Sequence, residues 1–273
     1  MNEPNTQPTV GLALGSGASR GWSHIGVVRG LLNAGIEPSI ICGTSVGAMV
    51  GASYLTGKLD ALADWVLGST RTDVLRFFGP QFTQSGFVDL KRFRSFLHNY
   101  VAGEGQLIED LPKPYAAVST DLNTGRETWF TKGHMAEAVQ ASMSMPGLFP
   151  AVRIEDRWMV DGGLVNPVPV SVCHALGADV VIAVNLNFGI VGKNAADTSK
   201  PPGLFYSITN SIGIFEDRIT RSRLAGDPAD VILSPDVSQI GMLEFHLAGK
   251  AIEEGERCVS DALSEILRAT SRS

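Results

Sequence analysis

Residues 40–49 constrain the fold more than any other part of the chain, because they predict a strand, a sharp turn and a helix in direct succession. The segment begins with apolar residues, continues as Gly43-Thr44-Ser45-Val46-Gly47, and then runs into small residues at helical spacing. Gly43 and Gly47 allow the strand and the helix to approach closely around a strained serine. Because a helix N-terminus favours negative charge, Ser45 is a candidate nucleophile and the Val46 N–H is a candidate oxyanion donor.

An earlier glycine-rich turn has the same context. Residues 9–14 predict a strand, residues 15–21 a turn, and the following residues a helix that ends at Gly35. The two units form a βαβα pattern, which indicates a parallel, doubly wound sheet. Further helices are predicted at 59–67, 90–100, 135–142, 167–176, 204–224 and 251–267, and further strands at 115–120, 127–130, 157–160, 179–184 and 231–233.

The domain organisation predicted from these elements is simple. With no internal repeat and no clear linker, we expect one domain at 9–267 and flexible termini at 1–8 and 268–273. Residues 189–202 predict a mobile loop. The loop that contains four phenylalanines contributes to the core or covers a site; these are Phe77, Phe78, Phe82 and Phe87.

Composition excludes several classes of function. The 273 residues are 44% hydrophobic, which suffices for a large α/β core, and a net charge of −6 argues against nucleic acid as a partner. The N-terminus lacks the features of a signal peptide and no apolar run reaches the length of a membrane span, which predicts a cytoplasmic protein. Cys42, Cys173 and Cys258 are too few and too far apart for a disulfide framework or a zinc site. Because the candidate site also has no acidic cluster that suggests catalytic calcium, we expect no metal and no other cofactor.

The first glycine-rich turn has a second interpretation. Gly15, Gly17 and Gly21 between a strand and a helix are close to a dinucleotide-binding pattern. That pattern needs an acidic residue after the second strand, whereas Glu37 precedes this strand. The same turn presents backbone N–H groups beside Ser45, so an oxyanion hole is the favoured interpretation.

The base that would activate Ser45 is less clear from the residues. None of the five histidines lies in a glycine-flanked loop; they are His24, His98, His134, His174 and His246. Asp161 ends a predicted strand and precedes Gly162 and Gly163, so its carboxylate could accept the serine proton. An Asp-Gly pair is also common in plain hairpin turns. Spacing alone does not decide between the two.

Four motifs, in this order, resemble the patatin-like phospholipases across most of the chain. They are the turn at 15–21 with its helix, the Gly43–Gly47 elbow, the segment 141–150, and Asp161-Gly162-Gly163 with the Asn-Pro-Val-Pro that follows. The resemblance implies a three-layer sandwich with a mostly parallel central sheet and helices on both faces. It also implies a Ser45–Asp161 dyad without histidine, and lipid or lysophospholipid acyl esters as substrates. The implied oxyanion and substrate-binding residues are Gly15, Ser16, Gly17, Ala18, Arg20, Gly21 and Val46.

One departure from the family pattern concerns the oxyanion loop. The family usually has three successive glycines where this chain has Ser16-Gly17-Ala18. Small residues can still present their N–H groups if φ stays negative. The altered loop motivates an alternative function, a regulatory module of low turnover that acts through a protein partner. Homo-oligomerisation and peripheral contact with the inner membrane face are the remaining partner hypotheses.

The helix predicted at 204–224 carries a single apolar stripe. Its opposite face is expected to hold Asn210, Glu216 and Asp217. Three interpretations of this stripe are open: it packs on the sheet, contacts a membrane, or forms a dimer interface. Its residues are Leu204, Phe205, Ile208, Ile212, Phe215 and Ile219.

Overall fold

Eight strands form one central sheet in the computed structural model, which describes residues 8–70, 90–187, 201 and 203–271. The strand order is β5-β6-β3-β2-β1-β7-β8, and β4 pairs with β3 outside this path. The pairs among β3, β2, β1, β7 and β8 are parallel, whereas β4, β6 and β5 pair antiparallel. The strands are β1 (Val10–Leu14), β2 (Ile40–Thr44), β3 (Tyr115–Asp121), β4 (Glu127–Phe130), β5 (Val152–Ile154), β6 (Arg157–Asp161), β7 (Val180–Val184) and β8 (Val231–Leu233).

Helices cover both faces of this sheet. In the described part of the chain they are α1 (Ser23–Asn33), α2 (Val46–Leu55), α3 (Leu59–Gly68), α4 (Leu90–Tyr100), α5 (Met135–Ser142), α6 (Val170–Ala175), α7 (Leu204–Gly226) and α8 (Ala248–Thr270). Short 3₁₀ helices lie at Ala18–Trp22, Ile108–Asp110, Gly162–Leu164 and Phe245–Leu247.

The two faces of β1 show why the fold has three layers. Leu12 and Leu14 pack in a large core cluster with α1, α2 and α8, whereas Ala13 points into a second cluster beneath α6. Successive side chains of a strand point to opposite faces, so a strand that is apolar throughout needs a covering layer on each side. The predicted mostly parallel sheet with helices on both faces is therefore confirmed.

The register of β3 brings the two predicted dyad residues together. Thr44, the last residue of β2, lies opposite Val118, and Asp161, the last residue of β6, lies opposite Ser119. β2 runs parallel to β3 and β6 runs antiparallel to it, so their ends approach each other at consecutive positions of β3. Ser45 directly follows β2, which places it beside Asp161.

Some boundaries differ from the sequence prediction. The helix predicted at 167–176 begins at Val170, because Pro169 has a non-helical backbone and caps it. β5 was not predicted, and α8 runs past Leu267 to Thr270. The four loop phenylalanines and most of the segment 189–202 lie outside the described residues. The limits of the domain and its termini stay a prediction.

The exposure of the side chains of α7 shows which face of the helix is buried. Glu216 and Asp217, expected on the face opposite the apolar stripe, are 4% and 5% exposed, whereas Ile208 and Phe215 of the stripe are 41% and 59% exposed. Of that stripe, Ile212 is buried. The helix therefore turns acidic side chains inward. No helix within the described ranges is long and apolar enough to cross a membrane.

Candidate active site

Ser45 occupies a strained turn between β2 and α2. Its backbone has φ 57° and ψ −124°, a conformation that non-glycine residues rarely adopt. A Cβ on Gly43 would lie 2.4 Å from the Ala48 backbone nitrogen, and one on Gly47 would lie 2.1 Å from the Leu14 carbonyl oxygen. Both positions therefore require glycine, because a side chain there would force the strand and the helix apart.

Asp161 lies in direct contact with Ser45. The Ser45 hydroxyl donates to Asp161 Oδ2 at 2.6 Å, and the Gly163 N–H donates to Asp161 Oδ1 at 2.8 Å. Burial raises the pKa of Asp161 to about 6, against the opposing effect of these two hydrogen bonds. A carboxylate with a pKa close to neutrality is a stronger base than an ordinary aspartate.

The strand ends hold the backbone of Asp161 firmly. Its N–H donates to the Ser144 carbonyl at 3.0 Å, and its carbonyl accepts from the Thr120 hydroxyl at 2.8 Å. A Cβ on Gly162 would lie 2.3 Å from the Val118 carbonyl oxygen, so this position also requires glycine. The turn after β6 is thereby fixed against β3.

The loop at 15–21 lies against the elbow as predicted, but its backbone differs from the expectation. Within the described chain, the N–H groups of Gly17, Ala18 and Val46 have no acceptor, so they are available to an oxyanion. The condition named for small residues in this loop, a negative φ, is not met at Ala18, whose φ is +50°. Alanine thus adopts a left-handed conformation where a glycine would be unstrained.

Both ends of this loop are anchored to neighbouring strands and loops. The Gly15 N–H donates to Val184 O at 3.1 Å and the Ser16 N–H to Pro167 O at 2.8 Å. Arg20 is buried, and its Nε donates to the Ile240 carbonyl at 3.0 Å. A Cβ on Gly21 would lie 2.1 Å from a methyl carbon of Val46. Arg20 therefore anchors the loop rather than facing solvent.

Among the residues that the structure describes, no histidine forms a hydrogen bond with the Ser45 hydroxyl. His24 is fully buried beneath the loop, and its Nε2 lies 2.8 Å from the Gly15 carbonyl oxygen. Burial lowers the pKa of His24 to about 4, so the ring is neutral and Nε2 donates to that carbonyl. His134 and His174 are exposed. In the described part of the chain, the hydrogen-bond acceptor for Ser45 is Asp161.

A narrow apolar cavity leads to Ser45. Methionine, leucine and phenylalanine side chains dominate its walls, which suits an acyl chain better than a polar group. Its lining residues are Ala18, Ser45, Val46, Met49, Met143, Met145, Leu148, Phe149 and Phe245. The candidate nucleophile and the loop that carries the candidate oxyanion donors therefore both line this small apolar cavity.

Sequence reasoning missed two residues of this site. Ser142, within a recognised motif but without an assigned role, accepts a hydrogen bond from the Ser45 N–H at 2.8 Å. Glu216 is buried beside Gly163, where a Cβ on the glycine would lie 2.1 Å from Glu216 Oε1. No local pattern identified Glu216, because its role depends on contacts with distant segments.

Comparison with known proteins agrees with this architecture. The family model described as patatin-like phospholipase matches residues 12–174, more than half of the chain. The chain therefore belongs to the patatin-like phospholipase family, and the class of reaction is the hydrolysis of lipid esters.

Individual relatives extend over different parts of the chain. An uncharacterized NTE family protein of Mycobacterium bovis is 33% identical, and the alignment covers 95% of this chain and 92% of the relative. A second one, from Mycobacterium tuberculosis, is 31% identical over 93% of this chain, which spans only 46% of that relative. Lysophospholipase nte1 of Aspergillus fumigatus is 31% identical over 65% of this chain and 12% of its own length.

Proposed function

We propose that this protein is a serine acyl hydrolase of the phospholipase A or lysophospholipase type, in which Ser45 is the nucleophile and Asp161 the base. The observation that carries the proposal is the 2.6 Å hydrogen bond from Ser45 Oγ to Asp161 Oδ2 beside an apolar cavity. A serine hydroxyl is a weak nucleophile until a base accepts its proton, and Asp161 is the group within reach.

The reaction follows from this geometry. Ser45 Oγ attacks the acyl carbonyl while its proton passes to Asp161, and the carbonyl oxygen becomes an oxyanion facing the free N–H groups of Gly17, Ala18 and Val46. The C–O bond to the leaving alcohol then breaks, the alcohol takes the proton from Asp161, and an acyl-enzyme remains. Asp161 next accepts a proton from a water molecule whose oxygen attacks the acyl carbonyl. The bond between Ser45 Oγ and the acyl carbon then breaks, Ser45 Oγ takes the proton back from Asp161, and the fatty acid is released.

The cavity beside Ser45 is lined by apolar side chains, which suit an acyl chain. The Aspergillus fumigatus relative carries the name lysophospholipase. Lysophosphatidylcholine is therefore the first substrate to test.

We also propose that the exposed apolar side chains of α7 contact the surface of lipid aggregates. Ile208 Cγ2 lies 3.7 Å from the position of a Cβ on Gly147, next to the cavity residue Leu148. This places the exposed Ile208 and Phe215 on the helix that borders the cavity loop. Apolar side chains at such an edge can enter the interface of a lipid aggregate.

Two assays test the dyad. The first is labelling by a fluorophosphonate, and the second is hydrolysis of a short-chain ester and of lysophosphatidylcholine. Ser45→Ala should lose labelling, and both Ser45→Ala and Asp161→Asn should lose hydrolysis by about a thousandfold or more. The double variant should be no worse than Ser45→Ala, because the two residues act as a unit. Suitable controls are Ser53→Ala and Asp121→Asn, two buried side chains whose hydrogen bonds involve other partners.

The alternative of a regulatory module makes the opposite prediction. Folded wild-type protein that is neither labelled by a fluorophosphonate nor active on either ester would favour that module over the enzyme. Near-full activity of Asp161→Asn would instead show that the protein is a hydrolase in which Asp161 is not the base.

A further inference from the structure

Glu216 is a buried carboxyl that the reaction above does not use. It lies on α7 and is 4% exposed. Its Oε1 and Asp161 Oδ1 lie 2.1 Å and 3.1 Å from a single point, the position that a Cβ on Gly163 would occupy. The absence of a side chain at Gly163 therefore allows the two carboxyl groups to be neighbours.

The surroundings of Glu216 connect three parts of the site. Its Oε2 accepts from Asn187 Nδ2 at 3.1 Å, just beyond β7. The same Asn187 nitrogen lies 3.5 Å from the Ser16 hydroxyl of the glycine-rich loop. Glu216 thus touches the turn that carries Asp161 and, through Asn187, the loop that carries the candidate oxyanion donors.

The charged groups that act on Glu216 come from two other segments. Burial is the main cause that raises the pKa of Glu216 to about 7, and the charge of Asp161 adds to it. Hydrogen bonding by Ser16 and Asn187 and the positive charge of Arg20 oppose this rise. On α7 itself, the adjacent Asp217 is paired with Arg221 at 2.9 Å. The negative charge of Asp161 is therefore one of the causes that hold the pKa of Glu216 above its ordinary range.

We propose that Glu216 is a positioning residue that places a second negative charge beside Asp161 and thereby makes Asp161 a stronger base. The inference rests on the proposed function of Asp161. A negative neighbour destabilises the ionised form of a carboxylate, which favours transfer of the Ser45 proton to it. Activity should then increase twice with pH, once as Asp161 ionises and again as Glu216 ionises.

The first test is the pH profile of kcat/KM on a soluble short-chain ester. Wild type should show both increases, near pH 6 and near pH 7. Glu216→Gln should keep the first increase and lose the second, so that it matches wild type at low pH and is about three- to tenfold slower at pH ~8. Glutamine can still accept from Asn187, so the variant retains that contact. Asp217→Asn, which removes the adjacent buried carboxyl, should keep both increases.

The second test measures Tm against pH and does not depend on catalysis. Because the pKa of Glu216 is raised in the folded state from its ordinary value of 4.5 to about 7, its contribution to stability is lost as pH rises across that interval. Glu216→Gln lacks this ionisation, so its Tm relative to wild type should increase from pH ~5 to pH ~8.

The outcomes distinguish this inference from the proposed function. An equal loss of activity at every pH would show a purely structural role and overturn the inference, as would a Tm difference that does not change with pH. A pH-dependent Tm difference in a protein that hydrolyses no ester would overturn the proposed function, and with it the catalytic role of Glu216, while the buried carboxyl pair would stand.

Discussion

The hydroxyl of Ser142 accepts a hydrogen bond from the backbone N–H of Ser45 at 2.8 Å and donates one to the Val118 carbonyl at 2.5 Å. Ser142 ends α5, and Val118 lies on β3, so this hydroxyl connects a helix and a strand to the strained turn. A residue with positive φ stays in that conformation only when its surroundings hold it there. Ser142 is therefore part of what fixes the direction of the Ser45 side chain.

Ser142→Ala should lower both activity and stability. It leaves the buried Ser45 N–H without its acceptor, which costs about 1–3 kcal/mol. We expect kcat on a short-chain ester to decrease by roughly ten- to a hundredfold because the serine loses its fixed orientation. Steady-state kinetics and thermal unfolding measure the two effects.

Ser144→Ala is the matched control for that variant. Ser144 is equally buried, but its hydroxyl donates to the Gln140 carbonyl of its own helix segment. It should lose stability without a comparable loss of kcat. Similar kcat values for the two variants would show that Ser142 does not fix the orientation of Ser45.

The raised pKa of Asp161 predicts how activity and stability depend on acidity. Only the ionised carboxylate accepts the Ser45 proton, so kcat/KM should decrease about tenfold per pH unit below the pKa of about 6. For stability, the folded state binds the Asp161 proton more tightly than the unfolded chain does, because the pKa of Asp161 is about 6 in the folded state against an ordinary value of 3.8. This contribution is present below about 3.8 and is lost as pH rises through about 6.

Asp161→Asn separates these two effects. The variant lacks catalysis, but its Tm relative to wild type should be higher at pH ~8 than at pH ~4, because the buried charge is absent. Differential scanning calorimetry across this range measures the difference. A constant difference would show that the pKa of Asp161 is not raised.

In the oxyanion loop, adding a side chain at Gly17 should lower kcat strongly, whereas removing the side chain of Ala18 should not. A Cβ on Gly17 would lie 2.9 Å from Leu186 Cβ, so Gly17→Val should displace the loop and lower kcat by about a hundredfold or more. Ala18→Gly should retain activity within a small factor and stabilise the protein, because it relieves the positive φ of 50°.

Kinetics and unfolding of these two variants can contradict the assignment. Equal and mild effects on kcat would place the oxyanion donors outside this loop. A strong loss of kcat in Ala18→Gly would show that the alanine side chain itself takes part in the reaction.

The sequence predicted those features that depend on local patterns. Apolar strands, glycine-rich turns and the flanking glycines of Ser45 and Asp161 are visible in short windows, and the sheet follows from them. The pairing of Ser45 with Asp161 is implied by the family resemblance, because spacing alone does not separate a base from a plain turn residue. Glu216 and Ser142 act through contacts between segments that are distant in the chain, which short windows do not contain. Spacing alone leaves open whether the apolar stripe of α7 packs on the sheet or faces outward, because a helical stripe does not show what covers it.

The exposed apolar side chains of α7 lead to a prediction about lipid surfaces. Ile208 and Phe215 are exposed without being part of the core, so Ile208→Glu with Phe215→Glu should fold with nearly unchanged Tm. Two charges on an apolar contact surface should weaken binding to vesicles of zwitterionic phosphatidylcholine and lower activity on aggregated lipid. Activity on a soluble short-chain ester should remain, because neither side chain touches Ser45 or Asp161.

A control for the added charge is available at the opposite end of the sheet. Leu267 is 44% exposed and lines a groove with Val10, the first residue of β1, whereas Ser45 follows the last residue of β2. Leu267→Glu should leave vesicle binding and both activities unchanged.

If the α7 variant unfolds, its apolar side chains belong to the core. If it changes only the sedimentation coefficient, they form a subunit contact and the membrane proposal fails. Selective loss on aggregated lipid, absent in Leu267→Glu, is the outcome that identifies α7 as the surface through which this hydrolase meets its substrate.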